Sequence, residues 1–107
     1  MLSDDWIRQG FQHRQRIKVN DLVAYVIWTD NKNDIIGVSV KFKEVYDYYY
    51  DIEIEEWMKF LDHVLKNQDL KETSKLLRYF LDGKSGMFAF QDALDTNQIK
   101  YDKIAFW

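Results

Sequence analysis

Residues 22–28 (LVAYVIW) form an unbroken apolar run rich in β-branched and aromatic side chains. The run is bounded by Asn20-Asp21 on one side and by the polar stretch 29–34 (TDNKND) on the other. A run this short, closed by turn residues at both ends, is predicted to be a central β-strand. Past the turn, Ile36, Val38, Val40 and Phe42 alternate with Gly37, Ser39, Lys41 and Lys43. That period of two places one face on a core and the other in water, so the two segments are expected to pair as a hairpin.

The alternation resumes with Tyr46, Tyr48, Tyr50 and Ile52 on one side and Asp47, Tyr49, Asp51 and Glu53 on the other, which predicts a third strand. Upstream, Ile17 and Val19 alternate with Arg16 and Lys18, consistent with a short strand over 15–19. Residues 99–107 are expected to supply a final strand. Ser3 could cap a brief helix carrying Trp6 and Ile7, which Gly10 weakens.

At Glu53 the period changes. Ile54, Trp57, Met58, Leu61, Val64 and Leu65 recur at helical spacing through Asn67, with Glu53, Glu55 and Glu56 in the first turn where carboxylates favour the helix dipole. Asp69, with Glu72 three residues on, reads as the N-cap of a second helix carrying Leu70, Leu76, Leu77, Phe80 and Leu81, and Gly83 as its stop. Ser85 is placed to cap a short third helix through Leu94. The predicted fold is α+β: an antiparallel sheet of three to five strands packed on one face by a helical hairpin over residues 53–82. Its core should include Val23, Tyr25, Ile27, Val38, Val40, Trp57, Leu61, Leu77 and Leu81. With 107 residues and no linker or repeat, residues 1–107 are expected to form a single domain.

Composition narrows the function. The chain has no cysteine, which removes thiol nucleophiles and thiolate metal sites. His13 and His63 lie fifty residues apart without a metal-binding spacing, so neither a metal nor a cofactor is expected. Gly83-Lys84-Ser85 resembles the end of a phosphate-binding loop, but Arg78 stands where that motif needs glycine, and a helix precedes it where a strand is required. Asp62-His63 does not form a dyad, because neighbours on a helix point about 100° apart. None of the four serines sits in a nucleophile elbow. No enzymatic activity is expected, though scattered carboxylates lining a deep cleft would revive that reading.

No run suits a membrane span, and the acidic start is unlike a secretion signal, so a cytoplasmic protein is expected. A net charge of −3 argues against nucleic-acid binding, and the basic residues Arg8, Arg14, Arg16 and Lys18 would grip a polyanion only weakly at physiological salt.

One segment stands apart. Residues 44–57 (EVYDYYYDIEIEEW) hold six carboxylates and four tyrosines without a lysine or arginine. The plain reading is a core-lining tyrosine row backed by a solvated acidic face. The functional reading is a partner-binding site in which Asp47, Tyr49, Asp51, Glu53, Glu55 and Glu56 present negative charge around a rigid ring to a basic protein. On that reading the chain is a small inhibitor or neutraliser, acting as bacterial immunity proteins and antitoxins do. The alternative is an assembly subunit, a homo-oligomer whose basic start meets the acidic segment of a neighbouring copy.

Overall fold

In a computed structural model, described for residues 13–66, 69–75, 77 and 86–106, five strands form one antiparallel sheet. They are β1 (His13–Lys18), β2 (Val23–Thr29), β3 (Ile35–Lys43), β4 (Asp47–Glu53) and β5 (Asp102–Phe106), and each pairs with the next in chain order. The first two turns are built by short polar side chains that accept from the backbone. Asn20 Oδ1 accepts from the N–H groups of Leu22 and Val23 at 2.7 and 2.9 Å. Asp30 Oδ1 accepts from Lys32 and Asp34 at 2.8 and 2.9 Å. Asn33, at φ 65°, supplies the left-handed residue the second turn needs.

Helical segments pack on one face of this sheet. Helix α1 (Ile54–Phe60) follows β4 without a loop, and α2 (Gly86–Thr96) precedes β5. Trp57 of α1 stacks on Tyr25 with ring centroids 5.5 Å apart. Phe90 of α2 lies 5.5 Å from both Phe42 and Tyr50, and 5.6 Å from Phe60. Each of the core residues named from sequence that falls among the described residues is buried, from Val23 to Leu77. Leu81 lies outside the described residues.

The helical region departs from expectation after Phe60. A single helix was predicted through Asn67, but after Phe60 the backbone widens into a π-helical turn, Leu61–Leu65, closed by Lys66 at φ 53°. The wider turn keeps Leu61 fully buried while Val64 and Leu65 still pack against the core at partial exposure. Helix α2 lies where the short third helix through Leu94 was expected; its Met87, Phe90 and Leu94 are all buried, and Phe90 joins the sheet to α1.

The predicted second helix begins later than expected, because residues 70–72 form a hydrogen-bonded turn after Asp69. Asp69 Oδ1 accepts from the Lys71 N–H at 2.9 Å, its carbonyl accepts from the Thr73 N–H at 3.1 Å, and residues 73–75 and 77 are helical. The rest of that helix, its Gly83 stop, the Ser85 cap, the Gly83-Lys84-Ser85 segment and the proposed helix near Ser3 lie outside the described residues.

Candidate functional site

Strand β4 divides its side chains as the alternation predicts. Tyr50 and Ile52 enter the helix-covered core with Tyr48 packed against it, and Tyr49 turns to the opposite face, against Val26 and Trp28. What alternation could not supply is whether that opposite face is wet. At its centre it is dry: Trp28 is 2% exposed, Asp51 4% and Ser39 fully buried. The expectation that Asp47, Tyr49, Asp51 and Glu53 stand together in water is therefore corrected at Asp51, which is buried, and at Tyr49 and Asp47, which are half-buried; only Glu53 of the four is exposed.

The register explains the burial. Trp28 pairs with Gly37, and Ser39 pairs with both Val26 and Asp51. Gly37 has no Cβ, so the indole can lie across β3. Its Nε1–H donates to Ser39 Oγ at 3.2 Å, and the Ser39 hydroxyl donates in turn to Asp51 Oδ1. A hydroxyl that accepts from an indole and donates to a carboxylate satisfies all three groups away from solvent. Asp51 is thus part of the interior wiring of the sheet.

The remaining acidic residues separate into two kinds. Asp47 Oδ2 is 3.1 Å from Lys41 Nζ, and the same ammonium lies 5.7 Å from the centre of the half-buried Tyr49 ring. That charge is neutralised within the sheet. Glu56 lies 3.7 Å from Lys59, one turn on in α1. Glu53 and Glu55 are exposed, and neither takes part in an ion pair among the described residues. They stand at the entry to α1, where Glu53 is the N-cap residue without a side-chain capping bond. A carboxylate at that position is favoured by the helix dipole and stays free to meet a cation from outside.

The other side of β4 builds a different cluster. Tyr50 Oη donates to Gln91 Oε1 at 2.8 Å, and Lys103 Nζ donates to the same oxygen at 2.9 Å while lying 5.2 and 5.6 Å from the ring centres of Tyr48 and Tyr50. Tyr101 Oη donates to Asp95 Oδ1 at 2.6 Å. Burial, reinforced by the Asp95 carboxylate that its hydroxyl bonds, pushes the Tyr101 phenol up to about 12. Burial likewise raises Tyr25 and Tyr50 well above the ordinary phenol value. These groups ionise more easily in the unfolded chain, so their contribution is complete below pH ~10 and is lost as pH rises toward the folded values. Alkaline unfolding is therefore expected to begin above pH ~10, with a delayed tyrosinate absorbance that appears together with loss of ellipticity. Tyrosines that all titrate near 10 in a chain that stays folded would contradict this.

Sequence reasoning missed one gathering of charge. Lys18 pairs with Ala24, and Ala24 pairs with Lys41, so β1 and β3 carry cations on either side of a small buried side chain. Arg16, Lys18, Lys41 and Lys43 converge there around a recess of about 430 Å³. The alternation of β1 and β3 contained this signal, but only the register brings the two strands' cations to one place.

Among the described residues no group of three or more histidine, aspartate or glutamate side chains could hold a metal ion. His63 is exposed on the π-helical turn. No described helix is long and apolar enough to cross a membrane. No family model, curated protein or solved structure matches this chain, so the site is argued from its own geometry.

Proposed function

We propose that this chain is a small cytoplasmic binding protein that neutralises a larger, basic protein partner by steric occlusion, as immunity proteins and antitoxins do. The observation that carries this reading is the pair of exposed, unpaired carboxylates Glu53 and Glu55 at the junction of β4 and α1. They are mounted on a rigid base, because the neighbouring Ile52 and Trp57 are fully buried. Backbone held at a strand end and a helix start needs little reordering on docking, and open carboxylates accept charge-assisted hydrogen bonds from arginine and lysine. Glu56 follows this pair in the first turn of α1, the half-buried Tyr49 ring lies four residues back along β4, and Asp47 contributes less because Lys41 already neutralises it. Asp51 supports the site from within.

The test is association kinetics with a basic partner recovered from the native host. The double variant Glu53→Gln/Glu55→Gln is expected to slow association about tenfold at low salt and to flatten its salt dependence, with a smaller change in dissociation. Unchanged kinetics would remove these residues from the interface. A chain acting one-to-one on a partner should also remain monomeric in a light-scattering concentration series. Mass that grows with concentration would favour the assembly reading instead.

A further inference from the structure

We propose that the recess between β1 and β3 is a binding site for a compact polyanion carrying two or more phosphate-type groups. Its lining combines Arg16, Lys18, Lys41 and Lys43 with a single acidic residue, Asp21. Asp21 is held by Lys18 at 2.9 Å, and that hydrogen bond and charge keep its carboxyl below the usual range. Lys41 is partly engaged by Asp47. Arg16 and Lys43 are exposed and make no ion pair among the described residues. The recess therefore keeps two uncompensated cations, one on each flanking strand.

The rest of the rim adds donors. Asn20 spends its side-chain oxygen on the N–H groups of Leu22 and Val23, which leaves its amide NH₂ as the group it can offer to a ligand. The floor includes Ala24, 4% exposed, whose methyl leaves depth between the cations where a longer side chain would fill it.

Spacing sets the ligand class. Strands β1 and β3 are separated by β2, roughly 10 Å apart, and the two cations within each strand are two residues, roughly 7 Å, apart. A single phosphate is small against that frame, whereas linked phosphates bridge it. A long nucleic acid is disfavoured, because Asp21, Glu44 and Asp47 border the same end of the sheet and the chain as a whole is negative. Nothing in this site depends on the carboxylates at the entry to α1.

Calorimetric titration of the full chain with pyrophosphate at low ionic strength is expected to show saturable one-to-one binding, tighter than that of inorganic phosphate. Arg16→Gln/Lys43→Gln should weaken it at least tenfold, at positions whose side chains support no described contact. Arg14→Gln removes one charge from the same strand, beside Trp28 and outside the recess, and should leave the affinity within twofold. Absence of saturable binding at millimolar pyrophosphate, or equal losses in the two variants, would overturn the assignment. So would a single-stranded oligonucleotide whose affinity exceeds that of pyrophosphate and grows with length.

Discussion

Replacing Phe90 by alanine is expected to lower the unfolding free energy by about 4 kcal/mol, a large share of the 5–15 kcal/mol typical of a domain. The ring is fully buried and joins three elements: it meets Phe42 of β3 and Tyr50 of β4 at 5.5 Å, and Phe60 of α1 at 5.6 Å, with Trp57 at 6.5 Å. Truncation removes the apolar burial and the edge-to-face contacts together, and it leaves a void between rigid aromatic neighbours that cannot collapse to fill it. Urea unfolding should show the midpoint falling with little change in slope. A loss below about 1 kcal/mol would mean that α2 does not close the core.

The second large effect is expected at Asp51. Asp51→Ala strands the Ser39 hydroxyl proton in the interior and opens space beside Trp28, for a cost of about 3 kcal/mol. Asp51→Asn keeps an oxygen that can accept from Ser39, so its cost should be about 1 kcal/mol. Glu53→Gln, two residues on along the same face, should change stability by less than about 0.5 kcal/mol, because its side chain is exposed and unpaired. The series separates support from contact. Asp51 variants should alter partner binding only through loss of folded protein, whereas Glu53 variants should alter binding without loss of stability. Equal stability of Asp51→Ala and the parent chain would contradict the buried hydrogen-bond chain.

The sheet was legible because its strands carry two strong local signals, β-branched and aromatic alternation and turns rich in Asn and Asp. The Asp30 and Asn20 turns formed as their residue types require. The acidic face was only half legible, since alternation groups Asp47, Tyr49, Asp51 and Glu53 on one side but says nothing of what covers that side. A clue lay in residues 22–28. An unbroken apolar run implies a strand with both faces buried, so the neighbours of Val26 and Trp28 on that second face, Ser39 and Asp51, share a dry setting.

Other features depend on long-range geometry. The cationic recess requires Lys18, Ala24 and Lys41 to fall in one row, which the register of two hairpins decides. The π-helical turn after Phe60 has no periodic signature, because Leu61, Val64 and Leu65 fit an ordinary helix equally well by spacing. Helix α2 was found by its placement, but its role in the core was not. Phe90 reaches Phe42 and Tyr50 only once β4 has folded back beside β3.

The division of the acidic segment into an interior carboxylate and a solvent-facing pair can be read directly by carbodiimide-mediated carboxyl labelling of the folded chain, resolved by mass spectrometry. Glu53 and Glu55 should be modified early and to similar extents, with Asp51 protected until denaturant is added. Labelling of Asp51 in the native protein at the rate of Glu53 would contradict that division, and with it the choice of Glu53 and Glu55 as the docking carboxylates.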